Sequence, residues 1–198
     1  MRAVLEIGCY TGYSALAWYE ATQATQAQII TLELDPKMIA ASRRTFDTYK
    51  LNDRITLIEG PAQASIETLT GDFDIIFVDA NKEGYEGYVK QILDKKLLAP
   101  KGFIMCDNGE LHSARLGSFL VRLIASQVFA RGMTISTEAN PELPAKVRPY
   151  WTECGKALRR FNTFCRSDPR IDTVLLPVFD GVTLIKWKLS SQFQGLPN

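Results

Sequence analysis

RAVLEIGCYTGYSALA, residues 2–17, is the stretch that decides the predicted fold. The apolar run from Ala3 to Ile7 predicts a short buried strand, Gly8 to Gly12 predicts a tight turn, and a helix begins after it. Glycines in such a turn let the backbone approach a ligand where a side chain would not fit. Ligands of open α/β sheets bind beyond the carboxyl ends of the strands. The turn is therefore the first candidate binding site.

Two acidic residues indicate which ligand this turn would bind. Glu33 lies in the next apolar run, IITLELD, where it can accept hydrogen bonds from ribose hydroxyls. The turn lacks the G-x-G-x-x-G pattern of dinucleotide-binding proteins, which makes NAD the weaker hypothesis. Glu6, inside the first strand, suits a cationic ligand better than a pyrophosphate. These features favour S-adenosylmethionine, which carries a positive sulfonium and no phosphate.

Apolar runs alternate with helical patterns as far as Asp107. The predicted strands after the first are Ile29–Leu34, Ile55–Ile58, Phe73–Val78 and Phe103–Asp107, the last preceded by a turn at Pro100–Gly102. Asp35 and Pro36 predict a helix start. Strands alternating with helices in this way imply right-handed βαβ crossovers and a parallel sheet.

Past Asn108 the alternation lapses. The pattern predicts an amphipathic helix over Leu116–Ile124, a loop over Thr137–Pro149, and a further helix that includes Trp151 and Phe164. Two strands follow, Ile171–Leu176 and Val182–Trp187, and their short linker requires an antiparallel hairpin. The predicted fold class is α/β, with a seven-stranded, mostly parallel sheet whose last strand is antiparallel.

Composition narrows the function classes. A chain of 198 residues with 46% apolar content fits one domain, residues 1–198, with a loose tail at 190–198. A net charge of +1 gives no electrostatic case for nucleic acid or an anionic membrane. The cysteines show no C-x-x-C spacing, and no signal peptide or membrane span is visible. We therefore expect reduced thiols and a cytoplasmic location.

Polar residues follow the fourth and fifth predicted strands. Asp79 ends one, and Asp107 with Asn108 ends the other. Neighbouring strands lie about 4.8 Å apart, so these residues can converge on one ion. Their oxygen-only donor set suits Mg²⁺, whereas zinc is disfavoured because His112 is the only histidine. The alternative is that each aspartate is an ordinary strand-end or helix-cap residue.

Lys82 lies three residues after Asp79, on the predicted loop over the strand ends. A nearby divalent cation and partial burial both disfavour the charged form of a lysine. A neutral amine there could take the proton from an acceptor hydroxyl. The alternative is a solvated surface lysine.

Four segments together resemble the cation-dependent O-methyltransferases, the class that includes the caffeoyl-CoA and catechol O-methyltransferases. They are EIGCYTGYSAL, FVDANKEGY, CDN and DPRIDTVLLPVFDGVTLIKW. The resemblance implies a Rossmann-like class I methyltransferase fold. It also implies that S-adenosylmethionine would be bound by Glu6, Gly8, Tyr10, Ser14, Glu33, Ala62 and Asp79. By the same resemblance, Asp79, Asp107 and Asn108 would hold the metal, and Lys82 would be the base.

The chain departs from that family in two places. Residues 109–157 form a longer stretch than is usual, in the region where the family recognises its acceptor, so the acceptor cannot be transferred. The chain also begins at the first strand, without the family's preceding helices that cover the cofactor. From that we expect S-adenosylmethionine to bind with a dissociation constant weaker than ~1 µM.

The sequence thus predicts an O-methyltransferase acting on a phenolic acceptor, free or as a CoA thioester, in a homodimer. Tyr85, Trp151 and Phe179 could flank a flat acceptor or belong to the core. The rival hypotheses are a degenerate relative that acts as a non-catalytic partner, a nicotinamide-dependent oxidoreductase, and an RNA methyltransferase.

Overall fold

The computed structural model of the chain describes residues 2–107, 145–176 and 181–188. The strands are β1 Ala3–Ile7, β2 Gln28–Glu33, β3 Ile55–Glu59, β4 Phe73–Val78, β5 Leu98–Asp107, β6 Ile171–Leu176 and β7 Val182–Trp187. The helices are α1 Tyr13–Ala21, α2 Pro36–Tyr49, α3 Ala62–Thr68, α4 Tyr85–Asp94 and α5 Arg148–Ser167, with a 3₁₀ turn at Lys82–Gly84 before α4.

The strands form one sheet in the order β3-β2-β1-β4-β5-β7-β6. The first five strands pair in parallel, and β7 runs antiparallel to both β5 and β6. This confirms the predicted mostly parallel sheet with a reversed last strand. The order of the strands reverses between β1 and β4, and open α/β sheets bind their ligands beyond the carboxyl ends of the strands at such a point.

The two faces of the sheet carry separate apolar clusters. Val4 points into a cluster with Ala15 of α1 and Phe46 of α2. Leu5, the next residue, points into a larger cluster on the other face, which α3, α4 and α5 cover. Alternate residues of β1 thus face opposite layers, as strand geometry requires. Glu6 therefore shares its face with Val4 and α1.

Helix α2 begins as the sequence predicts. The carboxylate of Asp35 accepts the backbone N–H groups of Lys37 and Met38, and Pro36 occupies the first helical position. These bonds satisfy two of the N–H groups that a helix start leaves unpaired. Asp35 therefore fixes where the chain leaves the edge of the sheet after β2.

Several predicted boundaries differ from the structure. Strand β2 runs from Gln28 to Glu33 rather than from Ile29 to Leu34, and β3 ends at Glu59 rather than Ile58. Pro100–Gly102 lies inside β5 as an irregularity, because β5 pairs Leu98 with Phe73 but Phe103 with Ile75. The predicted loop ends before Arg148, where α5 begins, and Pro149 lies in the first turn of that helix, where proline is tolerated. Three predicted features lie outside the described residues: the helix over residues 116–124, the linker at residues 177–180 that includes Phe179, and the tail.

No helix among the described residues has the length and apolarity to cross a membrane. All four cysteines are buried and none forms a disulfide.

Candidate functional site

The turn after β1 is shaped by a close approach between two backbones. Gly8 has a φ of 102°, a region that favours glycine, and a Cβ built on it would lie 2.3 Å from the carbonyl oxygen of Asp79. The amides of Gly8 and Cys9 both donate to the carbonyl of Leu32, at 3.0 and 3.1 Å. At Gly8 and Cys9 the turn is thus joined to the ends of β2 and β4 by backbone contacts.

Glu6 is a buried carboxylate behind this turn. Its side chain is fully covered, and Oε2 accepts the hydroxyl of Thr31 at 2.5 Å. Burial raises the pKa of Glu6 from 4.5 to about 7; nearby Thr31 and Ser14 lower it, and the charge of Asp79 raises it. Because no surface of Glu6 is exposed, its carboxylate lies beneath the turn and not on the surface of the protein.

The buried region around Glu6 holds two polar atoms without partners. Glu6 Oε1 and Trp18 Nε1 are both covered and have no hydrogen-bond partner within the part of the chain that the structure describes. Buried polar atoms are usually paired, and leaving one unpaired costs free energy. This region is therefore less than fully satisfied in the absence of a ligand.

Glu33 is bound by backbone amides on both carboxylate oxygens. Oε2 accepts the N–H of Tyr10 at 2.7 Å, and Oε1 accepts those of Leu34 and Asp35 at 2.8 and 2.9 Å. Since an ionised carboxylate offers about four lone-pair positions, these three donors leave one position of Glu33 open to a further donor. Its interaction with Tyr10 also fixes the turn, where Tyr10 has a φ of 49° and a largely exposed side chain.

The remaining predicted cofactor positions lie at the same edge. Ser14 is half-buried in the first turn of α1, beside Glu6. Ala62 is half-buried at the start of α3, and the amide of Gly60 just before it donates to the carbonyl of Glu33 at 2.8 Å. The predicted residues therefore follow, or lie at, the carboxyl ends of β1, β2, β3 and β4.

These features fit S-adenosylmethionine. At Gly8 the backbone carries no side chain that could obstruct a ligand. The Glu33 carboxylate has one lone-pair position left, which a ribose hydroxyl could use. Glu6 and Asp79 supply negative potential beside the turn when ionised, which favours a sulfonium over a phosphate.

Asp79 and Asp107 lie at neighbouring strand ends, as predicted. Strands β4 and β5 pair Val78 with Cys106, so the two aspartates are the next residues in register. Asp79 is exposed and Asp107 is half-buried. Asn108, the third predicted ligand, lies outside the described residues, and within those described no group of three or more His, Cys, Asp or Glu side chains is poised for a metal. The oxygen donors present fit a hard divalent cation but are an incomplete set.

Lys82 is buried rather than solvated, with 8% of its surface exposed. Its Nζ donates to Asp79 Oδ1 at 3.2 Å, to the Tyr85 hydroxyl at 2.5 Å and to the Asp107 carbonyl at 2.9 Å. The lysine therefore bridges the two strand ends that carry the predicted metal ligands. The surface-lysine alternative does not hold.

Sequence reasoning missed the part that Tyr85 plays in this cluster. Its hydroxyl also donates to the Asp107 carbonyl, and its ring lies edge-on to Phe161 of α5, with centroids 5.6 Å apart. Tyr85 is fully buried, so it does not flank a bound acceptor. The available signal was its spacing, since residues three apart on a helix face the same side.

The chain is similar to known proteins over most of its length. The family model described as O-methyltransferase matches residues 1–116. O-methyltransferase ankF from Aspergillus thermomutatus is 39% identical over 188 residues, 94% of this chain and 71% of the relative. Caffeoyl-CoA O-methyltransferase 5 from Nicotiana tabacum is 29% identical, over 93% of this chain and 68% of the relative. The crystal structure of SAH-bound Podospora anserina methyltransferase PaMTH1 matches with a TM-score of 0.81 and 56% identity, over 94% of this chain and 72% of that one.

Proposed function

This chain belongs to the O-methyltransferase family and is an S-adenosylmethionine-dependent methyltransferase, and on that premise we propose its acceptor and its catalytic groups. The acceptor is a small phenolic molecule with two neighbouring hydroxyls, or its CoA thioester. A divalent cation such as Mg²⁺ assists the reaction, and Lys82 is the general base.

The observation that carries the proposal is the position of Lys82. Its Nζ lies between the ends of β4 and β5, and Asp79, which it contacts, packs its backbone against Gly8 of the cofactor turn. The methyl-donor site and the base therefore share one short segment of the sheet edge. This arrangement lets an acceptor oxygen meet both.

The chemistry assigns a separate task to each group. S-adenosylmethionine supplies the methyl group. A divalent cation, when bound by Asp79, Asp107 and Asn108, would supply positive charge that stabilises the developing oxyanion. The acceptor hydroxyl gives its proton to the Lys82 amine, and its oxygen bonds to the methyl carbon as the carbon–sulfur bond breaks. The bonding pair stays on sulfur, which leaves as a neutral thioether.

To act as a base, Lys82 must first release a proton to solvent, because a nitrogen that donates three hydrogen bonds has no lone pair. The neutral amine has two N–H groups and one lone pair, so it keeps two of its three contacts. The contact with Asp79 is the longest of the three, at 3.2 Å, and involves the most exposed partner. Loss of that contact would leave the lone pair of the neutral amine facing Asp79, one of the residues that would hold the cation. Positioning of the two reactants can supply roughly 7–11 kcal/mol of the barrier reduction.

The acceptor class is supported by two independent points. The donor set of carboxylates suits a hard cation, which takes oxygen ligands, and two neighbouring hydroxyls would offer it two such oxygens. The Nicotiana tabacum relative carries the name caffeoyl-CoA O-methyltransferase. A free ortho-diphenol and a CoA thioester share the hydroxyl pair, and the experiment must separate them.

The test is methyl transfer to catechol, to a singly hydroxylated phenol and to caffeoyl-CoA, with EDTA or with added Mg²⁺. We expect turnover of a neighbouring-diol acceptor that EDTA abolishes and Mg²⁺ restores. Asp107→Ala should abolish the Mg²⁺ response. S-adenosylmethionine binding should persist, because Asp107 is not one of the predicted cofactor residues, and the backbone carbonyl that holds Lys82 remains in the variant.

Asp172→Ala is the matched control, since Asp172 lies on the edge strand β6 and its nearest cation is Lys186 at 4.0 Å. It should keep the wild-type metal response. Full turnover in excess EDTA, or in Asp107→Ala, would rule out the proposed metal assistance. Equal turnover of the singly hydroxylated phenol would rule out the proposed acceptor class.

A further inference from the structure

Tyr85 is placed to control the position of the Lys82 amine. Its hydroxyl accepts a hydrogen bond from Lys82 Nζ at 2.5 Å and donates one to the carbonyl of Asp107. We propose that Tyr85 is a positioning residue for methyl transfer, which holds Lys82 Nζ over the end of β5 while the acceptor reacts. This inference rests on the proposed function of Lys82 as the base.

The direction of the hydrogen bonds supports this assignment. A phenol has one proton to donate and lone pairs to accept with. Because Tyr85 gives its proton to the Asp107 carbonyl, its oxygen is left to accept from Lys82. Lys82 also donates directly to that carbonyl, at 2.9 Å. The three groups form a closed triangle that fixes the amine from two sides.

The triangle does not depend on the groups that must rearrange during turnover. Three groups accept hydrogen bonds from Nζ, and among these groups only the Asp79 carboxylate is also a proposed ligand of the cation. The Asp107 carbonyl belongs to the backbone of β5, and the Tyr85 ring is buried against Phe161. Lys82 therefore keeps two fixed partners when Asp79 turns away.

A lysine side chain loses considerable conformational freedom when it is held in one place. Without the Tyr85 hydroxyl, the Lys82 amine would have one fixed partner and could turn about the Asp107 carbonyl. A misplacement of about 1 Å can cost roughly 10²-fold in rate. The loss should fall on kcat, since Tyr85 is fully buried and meets neither substrate.

Tyr88 provides a matched control one helical turn further along α4. It is also buried, and its hydroxyl donates to Asn81 Oδ1 at 2.6 Å rather than bonding Lys82. Tyr88→Phe thus removes the same atom from the same helix. It separates the general cost of a lost buried hydroxyl from the specific loss of Lys82 positioning.

The experiment is a double-mutant cycle with Tyr85→Phe and Lys82→Met, read as kcat and KM for the ortho-diphenol and Kd for S-adenosylmethionine. We expect Tyr85→Phe to lower kcat about 10- to 100-fold with little change in KM or Kd. Lys82→Met should lower kcat about 10²- to 10⁴-fold. The double variant should be no slower than Lys82→Met alone, because the hydroxyl acts only through the amine. Tyr88→Phe should keep wild-type kcat.

Several results would overturn the inference. One is wild-type kcat in Tyr85→Phe. Another is a double variant in which the two losses of kcat multiply. A third is a loss of kcat in Tyr88→Phe equal to that in Tyr85→Phe. Either of these two results would indicate a structural role for the Tyr85 hydroxyl. If Lys82→Met itself keeps wild-type kcat, the proposed base fails and the inference fails with it. If Lys82→Met is slow and Tyr85→Phe is not, only the inference fails.

Discussion

The proposed methyl-donor half of the site, around Gly8 and Glu33, and the proposed acceptor half, around Lys82 and Tyr85, are built from different parts of the chain. In the donor half each contact involves the backbone: Gly8 packs against the Asp79 carbonyl, and three backbone amides donate to the Glu33 carboxylate. In the acceptor half they come from side chains, with Lys82 and Tyr85 meeting over the end of β5. The donor half should therefore be sensitive to added atoms, and the acceptor half to lost polar groups.

The two halves also differ in how well their polar atoms are paired. Lys82 uses three acceptors in the acceptor half. In the donor half, Glu6 Oε1 and Trp18 Nε1 find no partner among the described residues. Unpaired buried groups reduce stability, and functional sites are where such costs are found. Among the described residues, the donor half is therefore the less completely paired of the two.

The largest effect should come from a single methyl group in the donor half. In Gly8→Ala the new Cβ would lie 2.3 Å from the Asp79 carbonyl at a φ of 102°. Neither backbone can yield without breaking the pairing of β1 with β4. We expect the free energy of unfolding to fall by more than about 4 kcal/mol, with loss of S-adenosylmethionine binding, as measured by urea denaturation and calorimetry.

Gly60→Ala separates the clash from the backbone conformation. Gly60 has a φ of 117°, but its Cβ would meet nothing within 4 Å. It should cost only the strain of that conformation, about 1–2 kcal/mol. If the two variants were equally destabilised, the close approach at Asp79 would not be what the turn requires.

The second effect is a pH dependence carried by Glu6. Its pKa is raised from 4.5 to about 7 in the folded chain, mainly by burial. Between these values the unfolded chain releases a proton that the folded chain keeps. The contribution of Glu6 to stability is therefore fully present below pH 4.5 and is lost as the pH rises through 7. The shift corresponds to about 3 kcal/mol.

Glu6→Gln removes this ionisation and keeps the shape of the side chain. The difference in unfolding free energy between pH 5 and pH 8 should be smaller in the variant than in the wild type, by up to that amount. The measurement is urea denaturation of both proteins at each pH. Parallel pH profiles would show that Glu6 does not carry this cost.

The regular elements were accessible to sequence reasoning because their signals are local. The bounds predicted for β1, β4, β6 and β7 agree with the structure, since each is an apolar run between turn residues. At Pro100–Gly102 the sequence predicts a turn, whereas the structure has an irregularity inside β5. Proline and glycine are typical of turns, but pairing with β4 keeps Leu98 and Phe103, on either side, in one strand.

The site was predictable in outline and not in detail. Strand ends of a parallel sheet meet at one edge, which is enough to bring Asp79 near Asp107. The hydrogen bonds that define the site join residues far apart, as Tyr10 with Glu33 and Lys82 with Asp107. Such contacts depend on angstrom-scale placement by the whole sheet, and no local pattern encodes it. The roles of Tyr85 and of the Glu33 carboxylate toward the turn therefore emerged only from the structure.

The smallest effect concerns Glu33, and it tests whether the backbone contacts of the donor half serve binding more than stability. Glu33→Ala leaves the amides of Tyr10, Leu34 and Asp35 without their acceptor, but water can replace it because these residues are exposed. We expect a loss of about 1–2 kcal/mol in unfolding free energy. The dissociation constant for S-adenosylmethionine should rise about 10- to 100-fold, since the ribose loses a charged acceptor.

Asp35→Ala is the control, because it removes the cap of α2 two residues away and leaves the backbone amide that Glu33 binds. It should cost about 1 kcal/mol of stability and leave the dissociation constant unchanged. Calorimetric titration beside urea denaturation gives both quantities for each variant. If Glu33→Ala and Asp35→Ala weaken the cofactor equally, Glu33 acts only by shaping the turn. If Glu33→Ala alone does so, the lone pair that its amide partners leave free is the one that the ribose uses.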